Sequence, residues 1–131
     1  MMTDCIADLL TRIRNANMIQ METVEIPASN MKMSILEILK TEGYIKNYKK
    51  VEDENQGTIK IDLKYTLKGE RIIHNIQRVS RPSRRVYAKA QDLETACNGL
   101  GVTIVSTSQG VMTGQEAKRR NIGGEILCEV W

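Results

Sequence analysis

Two short segments of this 131-residue chain hold side chains with a recognisable chemistry. The first is Ser106-Thr107-Ser108-Gln109-Gly110, three successive hydroxyls followed by a glycine. Short hydroxyls satisfy phosphate oxygens, 2′-hydroxyls and base edges at little cost in side-chain freedom. The same five residues also make an ordinary Ser/Thr turn, and their types alone leave both readings open. The second segment is residues 78–89, where Arg78, Arg81, Arg84, Arg85 and Lys89 surround Tyr87 with no acid among them. There a tyrosine ring stacks on an unpaired base while cations meet phosphates, or else it fills a core in a chain without Phe. Lys118, Arg119 and Arg120 form a second cationic cluster, after Thr113-Gly114-Gln115-Glu116, whose helix start favours nearby anions.

Catalysis has little to build on. The only histidine, His74, falls among isoleucines in a predicted strand and reads as structural. No nucleophile elbow, Walker loop or dinucleotide-binding glycine turn occurs. Cys5, Cys97 and Cys128 are too scattered for a zinc cluster and read as buried thiols of a reducing cytosol. The expectation is therefore no enzyme, no cofactor, no metal and no small-molecule substrate. Two rivals to nucleic-acid binding remain, a small transferase using the hydroxyl loop and a protein–protein adaptor.

The net charge of +3 hides an uneven distribution. Residues 1–67 carry nine basic and ten acidic side chains, and residues 68–131 carry ten and six. A polyanion partner for the C-terminal half follows, against the alternative of a basic strand edge that resists aggregation. No apolar run is long enough to span a membrane, and Met1 to Cys5 does not read as a secretory leader.

The elements that must position these groups follow from periodicity. Ile6, Leu9, Leu10 and Ile13 predict a helix over 4–16 capped by Thr3. Thr23 to Ile26 predicts a strand ended by Pro27. Ser29 caps a helix over 30–42, with Met31, Ile35, Ile38 and Leu39 inward and Gly43 as its stop. Residues 44–51 and the alternating Ile59, Ile61, Leu63 and Tyr65 make a hairpin. The second half predicts a strand over 71–79, a bend at Arg81-Pro82-Ser83, extended chain over 84–89 and a helix over 92–98. A strand over 102–105, a helical turn from Thr113 to Arg120 and a strand over 125–130 complete it. The fold class is α+β in two small lobes. Residues 1–67 form an α-β-α-β-β lobe, and residues 68–131 form a mostly β lobe with short helices.

The segments 6–16, Arg78-Val79-Ser80-Arg81-Pro82, Val86-Tyr87, Leu100-Gly101-Val102, 105–113 and Gly123-Gly124-Glu125-Ile126-Leu127-Cys128 occur in an order that resembles one family throughout. That family is the bacterial form of the eighth protein of the small ribosomal subunit. The resemblance implies a cytoplasmic, non-catalytic ribosomal component that binds the central domain of small-subunit RNA early in assembly. It implies contact through Ser106, Thr107, Ser108, Gly110 and Tyr87, with Glu125 beside the loop, and phosphate contacts from Arg81, Arg84, Arg85 and Lys89. Secondary candidates are Arg12, Arg14, Lys32, Arg78, Lys118 and Arg119. Further implied partners are neighbouring ribosomal proteins, the fifth in particular, and the protein's own messenger RNA, which it would repress.

Four positions depart from the family pattern. Ser83 and Arg84 stand where Gly and Leu are usual, so the bend is strained if it needs a positive φ. Gly114 stands where Asp is common, removing a favourable charge at a helix start. Asn30 stands where Lys is frequent, removing a candidate phosphate contact.

Overall fold

The computed structural model describes residues 4–52, 56–93 and 101–131. Its internal contacts gather into two units, one of Cys5–His74 and one of Asn75–Trp131 joined by Asp4. Both mix helices with antiparallel sheet, giving an α-β-α-β-β unit followed by a mostly β unit. Among the described residues no helix is long and apolar enough to cross a membrane.

In the first unit α1 (Cys5–Met18) buries Ile6, Leu9, Leu10 and Ile13, the predicted stripe, and extends it through Ala16 and Asn17. The buried Asn17 amide is satisfied by donating to the carbonyl of Ile73 at 2.9 Å. The proposed cap, Thr3, lies outside the described residues. β1 (Thr23–Pro27) includes Pro27 as its last residue, tolerated because β1 is an edge strand. α2 (Asn30–Thr41) starts where Ser29 Oγ accepts the Lys32 N–H, and stops at Gly43 with φ +83. Its buried positions are Lys32, Ile35, Leu36 and Leu39, while Met31 and Ile38 are half-buried. β2 (Ile45–Val51) and β3 (Thr58–Leu63) complete a sheet of order β1-β3-β2. Ile59, Ile61 and Leu63 on the central strand are buried, and α1 and α2 pack on β1 and β2. Tyr65 joins only an isolated bridge to Arg71, and its hydroxyl donates to the Met21 carbonyl.

The strand expected over 71–79 is shorter. The chain bends at Ile72 and His74, His74 is exposed, and β4 spans only Ile76–Arg78. The cause is visible in the sequence: adjacent Ile72 and Ile73 break the alternation that a half-buried strand requires. β5 (Tyr87–Ala88) is followed by a 3-10 turn at Ala90–Asp92. The helix expected over 92–98 lies almost wholly outside the described residues.

β6 (Val102–Thr107), β7 (Gly110–Thr113), α3 (Gly114–Arg119) and β8 (Gly124–Val130) complete the second unit. Its sheet runs β4-β8-β6-β7, and β5 also pairs with β8, all antiparallel. Leu93, Val105, Met112 and Ala117 form a small apolar cluster, with Ala88, Ile122 and Ile126 packed against it.

Cys128 is buried, and burial holds its thiol neutral by pushing its pKa up to about 12. Cys5 is exposed, contrary to the expectation of buried thiols, because it opens α1 one position before the apolar stripe.

Candidate nucleic-acid interface

The register of the second sheet brings the two chemically distinctive segments together. Tyr87 on β5 lies opposite Glu125 on β8, Glu125 lies opposite Ser106 on β6, and Ser106 lies opposite Val111 on β7. Directly opposed residues of antiparallel strands project on one side. Tyr87, Glu125 and Ser106 therefore form a row across one face, although they come from three different strands and lie far apart in sequence. Tyr87 is 70% exposed, so its ring fills no core.

Two glycines, Gly123 just before β8 and Gly124 at its start, lie against the neighbouring strands. A Cβ on Gly124 would stand 2.3 Å from the Ser106 carbonyl oxygen, and one on Gly123 would stand 2.4 Å from that of Ala88. Both neighbouring backbones therefore approach closer than any side-chain-bearing residue allows.

The hydroxyl segment divides its labour. Ser106 and Thr107 end β6, Ser108 and Gln109 form the turn, and Gly110 opens β7 with φ +113. Thr107 Oγ1 accepts the Gln109 N–H at 3.1 Å and donates to the Gly110 carbonyl at 2.8 Å. Its hydroxyl builds the turn. Ser106 is half-buried in the row, and Ser108 is exposed at the tip. Gly110 contributes conformation, since no atom lies near the Cβ that it lacks.

A polar network holds the middle member of the row, Glu125. Ser80, fully buried, donates through Oγ to Glu125 Oε2 at 2.5 Å and accepts the Val86 N–H at 3.2 Å. Arg85 Nη1 donates to the same carboxylate oxygen at 3.0 Å. Burial, the largest influence on Glu125, raises its pKa. The hydrogen bonds from Ser80 and Arg85 and the nearby Arg85 and Arg78 charges outweigh it together, so the carboxyl ends below its ordinary value.

The cations fall into two groups. Arg81, Arg84, Lys89 and Lys118 are exposed and hold no side-chain partner among the described residues. Arg84 closes a two-residue turn with Arg81, each N–H donating to the other's carbonyl. Ser83 lies inside that turn without a positive φ, so serine brings no strain there, and Arg84 faces solvent.

The other candidates are engaged. Arg78 is buried on β4, paired with Asp4 at 3.1 Å and donating to the Leu127 carbonyl at 2.6 Å. Arg119 forks onto Glu116, and Arg120 bridges Glu116 and Gln109. Thr113 caps α3 by accepting the Glu116 N–H, and Gly114 lies buried against Thr103. In the first unit Arg12 pairs with Asp8 and donates to the Glu25 carbonyl, and Arg14 is half-buried. Lys32 is 4% exposed, its ammonium donating to the Pro27 carbonyl at 3.0 Å, which removes it from the outer surface. Asn30 is exposed beside it, its carbonyl accepting the Ser34 hydroxyl.

Sequence reasoning missed Ser80 and the role of Gln109, because hydrogen bonds across 45 and 11 residues leave no local signal. It did single out Glu125 and Arg85, but not that each engages the other. Among the described residues no three His, Cys, Asp or Glu side chains gather as metal ligands.

This arrangement belongs to a ribosomal protein. Residues 4–131 match the family model described as Ribosomal protein S8, and the chain belongs to that family. It is 56% identical over 130 residues to the small ribosomal subunit protein uS8 of Staphylococcus haemolyticus, covering 99% of this chain and 98% of the relative. The proteins of the same name from Staphylococcus aureus (strain JH9) and Streptococcus pyogenes serotype M5 are 55% and 54% identical, each with the same coverage.

Proposed function

We propose that the chain is a structural, non-catalytic protein of the small ribosomal subunit, working in the cytoplasm on the ribosome, and that residues 68–131 hold its RNA-binding surface. The row of Tyr87, Glu125 and Ser106, with Ser108 at its end, carries this reading. It offers a stacking ring and two hydroxyls on one sheet and its turn, in a unit that also carries the unpaired cations Arg81, Arg84, Lys89 and Lys118. A surface of this composition suits unpaired bases and the sugar–phosphate backbone of folded RNA.

In this reading the ligand is the central domain of small-subunit ribosomal RNA, bound as the subunit assembles. A messenger RNA copy of the same shape would compete for the site and give translational repression. The fifth small-subunit protein is the expected protein neighbour. Ser106, Ser108 and Tyr87 read shape and bases, whereas Thr107, Gly110, Arg85 and Glu125 hold the geometry.

Gel-shift titrations with the central-domain RNA and an unrelated hairpin of equal length test this. Tyr87→Ala is expected to cost about 1–3 kcal/mol of affinity for the ribosomal fragment alone. Ser108→Ala is expected to cost on the order of 1–3 kcal/mol by leaving an RNA group unpaired. Equal affinity of the wild-type protein for both RNAs would reduce the interaction to charge. Unchanged binding of both variants would remove these residues from the site.

A further inference from the structure

The hydroxyl turn is held from two sides. From within, Thr107 ties the Gln109 N–H to the Gly110 carbonyl. From outside, Arg120 Nη1 donates to Gln109 Oε1 at 3.2 Å, while its Nε donates to Glu116 Oε1 at 2.8 Å. The guanidinium is a planar fork, so these two donors fix the distance between α3 and the turn. Glu116 is itself fixed: its N–H is capped by Thr113 Oγ1, and Arg119 donates from Nη2 and Nε at 2.6 and 3.0 Å. Hydrogen bonds from Arg119 and then Arg120 lower the Glu116 carboxyl to about 2, so the anchor stays ionised across the physiological range. Arg120 is placed by the end of α3, its own N–H returning to the Glu116 carbonyl.

We infer that Arg120 and Glu116 are positioning residues for RNA recognition: the series Thr113, Glu116, Arg120, Gln109 carries the rigidity of α3 to the turn that presents Ser108. This rests on the reading of that turn as an RNA contact. The series also explains why a cluster of three consecutive cations, Lys118, Arg119 and Arg120, contributes only Lys118 as an unpaired charge among the described residues. Arg120 orders a neighbour in the free protein, before any RNA arrives.

Arg120→Lys is the informative variant, because it keeps the charge and loses the fork. Two quantities are read: the backbone order of Ser108 and Gln109 in the RNA-free protein by ¹⁵N relaxation, and the ratio of affinities for the central-domain RNA and the unrelated hairpin. The turn amides are expected to gain picosecond–nanosecond mobility, and the affinity ratio to fall about threefold, the effect of one weak hydrogen bond. Glu116→Gln is expected to bind both RNAs more tightly, by releasing two cations, while its affinity ratio falls as well. If Arg120→Lys leaves turn order unchanged, the positioning role is overturned, whether or not affinity moves, since a loss of affinity alone marks direct contact. Ser108→Ala separates the two failures. An unchanged ratio in that variant removes the turn from the RNA site and takes the positioning role with it. A reduced ratio there, with Arg120→Lys silent, overturns the positioning role alone.

Discussion

The two units use the same ingredients, helices on antiparallel sheet, but are held together differently. In Cys5–His74 a central strand lays Ile59, Ile61 and Leu63 against two helices contributing Leu9, Leu10, Ile13, Ile35, Leu36 and Leu39, all buried. In Asn75–Trp131 Ile76, Ile104, Leu127 and Val130 are buried as fully, but the cluster at α3 is small, and the sheet adds close backbone approach at Gly123 and Gly124 and the Ser80–Glu125–Arg85 network. Bulk apolar packing tolerates local relaxation, whereas a contact between two backbones has nothing to give. The row of Tyr87, Glu125 and Ser106 lies in the unit that adds backbone contact and a buried polar network to its apolar packing.

Breaking each unit at its own support sharpens the contrast. Leu39→Ala is expected to destabilise the first unit by about 2–5 kcal/mol, the usual cost of a large-to-small change in a core. Gly124→Ala is expected to destabilise the second by roughly 1–3 kcal/mol, through overpacking against Ser106. Hydrogen exchange should place the lost protection of the first variant in α1, α2 and β3, and that of the second in β5, β6 and β8. Only the Gly124 change should lower RNA affinity at a given folded fraction. Equal loss of RNA affinity in both would erase the distinction.

A finer comparison lies inside the second unit, between adjacent arginines. Arg84 is unpaired among the described residues and Arg85 is bound to Glu125. Removing a phosphate-contacting cation shallows the salt dependence of RNA binding by roughly 0.7–0.9 log unit. Arg84→Ala is expected to do so, and Arg85→Ala to change the slope less while raising exchange at the Ser80–Val86 bend. Identical slopes for the two variants would show that pairing with Glu125 leaves Arg85 as available as its neighbour.

The smallest effect concerns acid. Glu125 has a depressed carboxyl pKa in the folded state, so its stabilisation is complete above the unfolded value near 4.3 and is lost as pH falls through the folded one. Denaturation measured from pH 6 to pH 3 should show wild-type stability falling over the acid end of that range. Glu125→Gln should be less stable near neutrality and show a shallower fall. Parallel curves would assign the acid sensitivity to other carboxyls.

Much of this was legible in advance. The stripe of α1, the Ser29 cap and Gly43 stop of α2, and the alternation of β3 are local patterns, and the structure follows them. Local reasoning failed where partners are distant. Arg78 reads as a surface cation within its basic stretch, yet Asp4, 74 residues away in sequence, lies beside it. Lys32 falls at the start of α2, where nothing in the sequence shows that its stem lies inward and its ammonium meets Pro27. Thr107 and Ser108 are neighbours with the same functional group, and only the turn tells the structural hydroxyl from the presented one.

The shared ladder of β5, β8 and β6 has one more consequence. β5, β8 and β6 lie side by side, and an antiparallel ladder sets adjacent strands about 4.8 Å apart. Tyr87 and Ser106 are consequently held at a span of about 10 Å by main-chain hydrogen bonds that do not stretch. The pair works as a gauge. A ligand that touches both must offer a stacking plane and a polar group at that separation, and whatever adjustment is needed falls to the ligand.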